Sequence, residues 1–472
     1  MRVAIIGGGI SGLSAAFYLE KERAAGAPVE YVLFESTDRL GGSMYSERIE
    51  GCIVEAGPDS FLTEKPWASQ LAAEVGIGHC LIGSNDADRK TYILIHGGLV
   101  VMPDGLQFMV PTKILPTGLS PLFSWGTKLR MIKELFHPPR PMQKDETVAE
   151  MVERHFGAEM VDRLADPLLS GVYGGDAASL SARAVLPRFV EMEEKYGSLS
   201  RAMLAARKRM LATANQNAKP RPLFTSMRDG MQQLVDAIVA HLTPMSLRLS
   251  SPVRDVEFRD GRWKVVLDGD TESFDAVILA TPARVAGRLL ERVKPELSAD
   301  LGNIPYSSSV TVTMGYKTSQ LRSLPPGFGF LVPRSEGKRM LACTFVHRKF
   351  PHRAPPDKGI LRCFLGGAKD ELVLGLGDKE IENIVRRELR EVLGLDAEPT
   401  FIRIYRWRSA MAQYSSGHLD RVARIERNTQ QLHGLALAGN AFKGIGVPDC
   451  VHSGQDAAKT MARLAVQTQP TK

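Results

Sequence analysis

The opening of the chain constrains its fold more than any other stretch. MRVAIIGGGISGLSAA runs from a short apolar segment, Arg2–Ile6, into Gly7-x-Gly9-x-x-Gly12, and then into a helical pattern over Leu13–Lys21. An unbroken apolar run of that length reads as a strand buried on both faces. Glycines at these three positions have distinct physical uses. Gly7 permits the tight turn, Gly9 lets backbone approach a pyrophosphate, and Gly12 lets helix and strand pack closely. The helix that follows points unpaired N–H groups at the phosphates. A second strand, Val29–Phe34, ends on Glu35, where an acid can accept hydrogen bonds from a ribose. Glycines alone would predict only a turn. Strand, helix and acid together predict a βαβ dinucleotide unit in which Gly7, Gly8, Gly9, Ile10, Ser11, Gly12 and Glu35 touch the nucleotide.

Two further segments favour FAD over a nicotinamide. Glu35 is followed by Arg39-Leu40-Gly41-Gly42-Ser43, which resembles the E-x-x-x-R-x-G-G signature of the flavin amine oxidases. The glycine pair admits a bulky ribityl–phosphate chain near backbone, and Arg39 can offset pyrophosphate charge. Far downstream, Asn440 precedes Gly444-Ile445-Gly446-Val447-Pro448 and a helical pattern. Proline suits a first helical turn. A helix N-terminus there can face the flavin pyrimidine edge and favour negative charge. Asp275–Pro282 reads as another strand of the same domain, with Val253 ahead of it on the adenine side. Gly57, Pro58, Asp59 and Ser60 are expected to bring backbone alongside the flavin. The expected cofactor contacts are therefore the seven residues above with Arg39, Gly41, Gly42, Ser43, Gly57, Pro58, Asp59, Ser60, Val253, Asn440, Ile445, Gly446 and Val447.

The chain has 472 residues, enough for two or three domains and a large buried cofactor. Its formal charge of +7 is spread without a dense Lys/Arg block, which argues against nucleic acid. An anionic substrate, an acidic membrane surface and a merely solvated basic surface all remain open. Five scattered cysteines form no CxxC pair, so neither a zinc site nor a redox dithiol is predicted. Sparse cysteines suit a reducing cytoplasm. No apolar run approaches membrane-spanning length, and the N-terminus enters a strand without a leader pattern. The predicted fold class is α/β plus α+β, with a discontinuous Rossmann-like FAD-binding domain (1–90, 221–304 and 416–472). A mixed-sheet substrate domain takes 91–110 and 305–415, and a helical insert takes 111–220. In the insert, Leu122, Phe123, Trp125, Leu129, Met131 and Ile132 alternate with Lys128, Arg130 and Lys133. That composition allows core packing, a dimer contact or a membrane-facing surface.

Several segments resemble the porphyrinogen oxidases of haem biosynthesis: GGGISGLSAA, RLGG, PTKILP, LSGVYGGD, LSARAVLPRF, EKYGSL, GFGFLVP, FPHRAP and the final GIGVPDC. The resemblance implies FAD-dependent removal of hydrogen from a reduced tetrapyrrole in three two-electron steps, with oxygen as acceptor and peroxide as product. It also implies that the flavin does the chemistry, so no catalytic side chain is assigned. A substrate wall is implied from Gly171 in a Leu169–Asp176 loop and from Phe330 and Leu331. Lys65 and Arg188, with Arg348 and Arg353, are cations that could meet propionates. Ordinary core packing for Phe330 and Leu331, and surface roles for the cations, are the plainer readings. His418 reads as a hydrogen-bonded structural histidine, and His155 as a helix-face residue rather than a ligand. Many animal and plant protoporphyrinogen oxidases carry arginine after this Gly-Pro, where the present chain has Asp59. GPDSFL resembles the branch acting on coproporphyrinogen III, and the plainer alternative is that Asp59 only bonds backbone amides in an Asx-type turn. Protoporphyrinogen IX as the substrate, a flavin amine oxidase or desaturase, and a flavin-binding chaperone without activity stay open. So do a homodimer and peripheral contact with the inner face of the cell membrane.

Overall fold

The computed structural model describes residues 1–107, 110–111, 114–140, 144–213 and 221–467. Arg2–Ile6 (β1) leads through the helix Ile10–Ala24 (α1) to Glu30–Phe34 (β2). β1 pairs in parallel with β2, Val3 opposite Tyr31, and with Ala276–Leu279 on its other side. Leu247–Arg248 and Leu435–Leu437 complete a five-stranded sheet at its two edges, both in parallel. Each face is covered, which is why these strands are apolar throughout rather than alternating. Val3, Ile5 and Leu33 pack under α1 and the C-terminal helix Val447–Gln467, while Ala4, Ile6 and Phe34 pack under the antiparallel strands Asp255–Phe274.

A seven-stranded sheet stands beside this unit, in the order Phe401–Ala412, Tyr306–Lys317, Lys358–Gly366, Met340–Phe345, Gly329–Leu331, Thr91–Ile95, Gly98–Val101. Neighbours are antiparallel except Gly329–Leu331 beside Thr91–Ile95. Val310, Val312, Met314, Cys363 and Leu365 point into a core covered by the helix Asp378–Leu393. Strand alternation turns Thr311, Arg362 and Phe364 to the opposite face. There Thr311 pairs with Phe364, and Thr313 with Arg362.

Helices from Ile114–Leu119 to Leu199–Thr213 form the third element group. The amphipathic pattern over Thr147–Leu164 is not one helix. Thr147 and Glu150 form a capping box on Val148–Phe156, and Gly157 then breaks the chain at φ 93°. The segment expected as a glycine-rich loop, Leu169–Asp176, also differs from expectation. Leu169 and Gly171 lie within the helix Asp166–Tyr173, which Gly174 terminates at φ 56°. The glycines there stop a helix rather than form an extended loop. Most of the loop expected at Asn215–Pro222, with Thr112 and Lys113 of PTKILP, lies outside the described residues. Among the described residues no helix is long and apolar enough to cross a membrane.

Candidate active site

The first glycine loop is tight at both ends and open in the middle. Gly7 donates its N–H to the Phe34 carbonyl at 2.8 Å, and a β-carbon on Gly7 would stand 2.6 Å from the Ala280 oxygen. On Gly12 a β-carbon would stand 1.9 Å from the Gly7 oxygen. Gly9 has no such neighbour within 4 Å among the described residues. Open space at the residue where backbone must meet phosphate, at the head of α1, is the form of an anion cradle. Ile10 and Ser11 start that helix. Glu35 sits beside the loop, its Oε2 accepting from the Gly8 N–H at 2.8 Å and its Oε1 from the Thr37 N–H and hydroxyl at 2.9 Å each.

The second glycine motif packs on the first. Gly41 donates to the Gly8 carbonyl at 2.8 Å, and Gly42 stands close to Gly9. A β-carbon on Gly57 would stand 1.9 Å from the Ser43 oxygen. Gly9, Gly42, Ser43 and Gly57 thus make a continuous path from the head of α1 to the Gly57–Ser60 loop. Arg39 lies over the Tyr45 ring and donates to the carbonyls of Leu40, Gly42 and Met44. Val253 is half-buried against the five-stranded sheet. Asn440 accepts at its carbonyl from the Tyr414 hydroxyl and donates from Nδ2 to Ala410. Ile445 and Val447 pack against the cores on the two faces of that sheet, and the Gly446 N–H donates to Asp449 at 3.2 Å. These residues suit a dinucleotide bearing a long diphosphate.

Behind Gly57-Pro58 lies a buried charge cluster that ties this loop to the seven-stranded sheet. Lys349 Nζ donates to Asp59 Oδ2 at 3.2 Å and to the Ser60 hydroxyl at 3.0 Å. Arg362 crosses from the seven-stranded sheet to the Gly57 carbonyl, with its Nη1 3.9 Å from Asp59. Arg353 pairs with Glu55 at 2.9 Å and donates to the Ser226 hydroxyl, which itself donates to the Asp59 carbonyl. Burial pushes both carboxyls up. For Glu55 it prevails, whereas the charges of Lys349 and Arg362 hold Asp59 well below the usual carboxylate range.

The residues expected to meet substrate have different surroundings. Gly171 and Leu331 come together, a β-carbon on Gly171 standing 3.8 Å from Leu331. Phe330 points the other way, 1% exposed within the core of the seven-stranded sheet, because neighbours on a strand face opposite sides. Lys65 holds both oxygens of Asp449 at 2.7 Å. Arg188 pairs with Glu64 in solvent, and Arg348 donates to the carbonyls of Leu324 and Pro325. Arg353 is enclosed by its pair with Glu55, so it is a structural cation rather than an open propionate partner. His418 is fully buried, stacks on Tyr414 with centroids 4.0 Å apart and meets the Phe442 carbonyl at 3.0 Å; burial lowers its pKa to about 4. Lys349, Ser226, Phe364 and Arg362 lie outside every motif of the sequence. Only Arg362 carried a signal there, as a charged residue inside the apolar run ILRCFLG. Phe364 shares its face, the Arg362 guanidinium standing 5.0 Å from its ring, and Trp407 donates to the Ala56 carbonyl at 2.9 Å.

A family model described as flavin containing amine oxidoreductase matches residues 10–462. The chain is a member of that family. This flavin amine oxidoreductase is FAD-dependent, and the cradle described above fits that cofactor. It is 34% identical to the coproporphyrinogen III oxidase of Bacillus subtilis over 96% of either chain. It is 30% identical to the protoporphyrinogen oxidase of Bos taurus, covering 97% of either. A crystal structure from Exiguobacterium sp. 255-15 superposes with a TM-score of 0.86 at 31% identity, covering 98% of this chain and 99% of that one.

Proposed function

We propose that this flavin amine oxidoreductase is a porphyrinogen oxidase of haem biosynthesis that converts coproporphyrinogen III to coproporphyrin III. Three two-electron oxidations would consume three O2 and release three H2O2. The observation that carries this reading is the near full-length likeness to the Bacillus subtilis coproporphyrinogen III oxidase, at higher identity than to the Bos taurus protoporphyrinogen oxidase. The residue after Gly57-Pro58 agrees with it. Asp59 offers no cation to a substrate carboxylate and is enclosed by Lys349.

Bound FAD supplies the hydride acceptor. The chain's own work is then to hold a broad macrocycle against it and exclude water. In this reading Gly171 and Leu331 form an apolar wall, Phe364 and Trp407 line the sheet side, and Lys65 is the cation nearest the Gly57–Ser60 loop in sequence. His418 cannot exchange protons with a ligand, since its ring is enclosed and its pKa is low. Anaerobic addition of coproporphyrinogen III tests the reading: the flavin absorbance should bleach, and amines should leave it unchanged. Bleaching by an amine but not by the porphyrinogen would overturn it.

A second reading concerns place rather than chemistry. The helix Trp125–Glu134 is inverted, burying Thr127, Met131 and Glu134 while exposing Trp125, Leu129 and Ile132, with Phe136 following in line. Lys128 and Lys133 flank this stripe. An apolar ridge edged by lysines suits peripheral contact with an anionic lipid surface on the cytoplasmic side.

A further inference from the structure

We propose that the Asp59–Lys349 pair sets the reduction potential of the bound FAD, because the cluster behind Gly57-Pro58 carries more positive than negative charge. Among the described residues, Lys349, Arg353 and Arg362 form ion pairs only with Glu55 and Asp59. All five side chains are at most 17% exposed. Two guanidinium nitrogens, Arg353 Nη1 and Arg362 Nε, are buried with no hydrogen-bond partner among the described residues. A buried charge lacking a counterion is costly, and its field reaches further than it would in water. Such a charge persists where something anionic offsets it. FAD gains a negative charge when it accepts a hydride, that is, two electrons and one proton.

The position of the cluster ties it to the cofactor. Arg362 donates to the carbonyls of Ala56 and Gly57, and Gly57 packs on Ser43, next to the Gly42–Gly9 contact of the cradle. The cluster therefore stands one layer of residues behind the cofactor path. The Asp59 carboxylate and the Lys349 ammonium are engaged with each other and with Ser60. Their effect is through charge, and the two members of the pair must act in opposite directions.

Titrating the holoenzyme anaerobically against a dye of known potential, with no porphyrinogen present, tests this independently of the substrate assignment. Lys349→Met should displace the equilibrium toward oxidised FAD by about tenfold, about 30 mV for a two-electron couple. Asp59→Asn should displace it by a similar factor toward reduced FAD, and the double variant should return close to the parent. Shifts in the same direction, or neither single variant moving the equilibrium by threefold, would overturn the proposal. If Lys349→Met released FAD, Asp59→Asn decides alone: a shift toward reduced FAD supports the proposal, and any other result overturns it. Release of FAD from both would make the pair a structural clamp and overturn it as well.

Discussion

A β-carbon on Gly454 would stand 2.2 Å from the carbonyl oxygen of Ser11, so the C-terminal helix rests on the head of α1 with no room for a side chain. The same helix begins at Val447-Pro448, beside Gly446 and Asp449. Its seating therefore fixes the last cofactor segment against the first. Gly454→Val should destabilise the protein by about 1–3 kcal/mol through overpacking. It should also release FAD at a lower temperature than the parent does, as followed by flavin fluorescence during a thermal melt. An unchanged release temperature would separate the helix from the cofactor site.

Glu35 bridges the Gly8 N–H and the Thr37 N–H and hydroxyl, placing its carboxylate at the rim of the cradle. Hydrogen bonds to a charged group are worth about 1.5–3 kcal/mol. Glu35→Ala should weaken FAD binding by at least tenfold, measured by titrating the stripped protein with FAD. Equal affinity would mean that the carboxylate serves only the loop.

How much of this was readable in the sequence differs from place to place. The glycine loop, the RLGG turn and Glu35 were legible because a dinucleotide leaves little freedom in backbone geometry. The substrate side was not. Phe330 and Leu331 look alike as letters, and only the strand's register separates the core residue from the one beside Gly171. The LSGVYGGD segment reads as a loop from its glycines, yet Pro167 near its start and Gly174 at its end enclose a helix. Asp59 was the sharpest marker in the sequence, but its partners lie some 290 and 300 residues away along the chain and no local pattern announces them. Their presence bears on Asp59→Arg, the substitution that would install at this position the arginine of many animal and plant protoporphyrinogen oxidases. That variant should fail by placing another cation among three, losing about 3–5 kcal/mol, rather than by exchanging one substrate for another.

Within the helical insert, His155 is enclosed between Glu134, 3.1 Å from Nδ1, and Glu193, 3.3 Å from Nε2. Arg154 also binds Glu193, and the His137 ring lies 5.2 Å away. Burial lowers the His155 pKa, but the two carboxylates outweigh it and raise the value above 6.5. A raised histidine contributes its full stability below 6.5 and loses it as pH climbs through the folded value. Glu193, where burial is outweighed by His155 and Arg154, falls to about 2, so its contribution is present above 4.5 and is lost on acidification. The insert should thus be firmest between about pH 4.5 and 6.5. Hydrogen exchange over Trp125–Glu134, corrected for the intrinsic rate, should quicken from pH 6.5 to 9. His155→Gln should flatten that rise; an identical rise in the variant would contradict the assignment.

The exposed stripe of Trp125, Leu129, Ile132 and Phe136 makes a separate prediction. The protein should sediment with phosphatidylglycerol vesicles and much less with phosphatidylcholine vesicles, and 1 M salt should reduce the binding. Trp125→Ser with Phe136→Ser should abolish sedimentation while leaving the melting temperature within about 2 °C, since both side chains are more than 70% exposed. Indifference to vesicles, with a concentration-dependent dimer lost in the same variant, would assign the stripe to self-association.

The substrate assignment faces its most direct test in steady-state turnover. Initial rates on coproporphyrinogen III and protoporphyrinogen IX, followed by porphyrin fluorescence under air with the same enzyme preparation, give the ratio of the two kcat/KM values. A preference of at least tenfold for coproporphyrinogen III is expected. A ratio of one, or a preference for protoporphyrinogen IX, would contradict it.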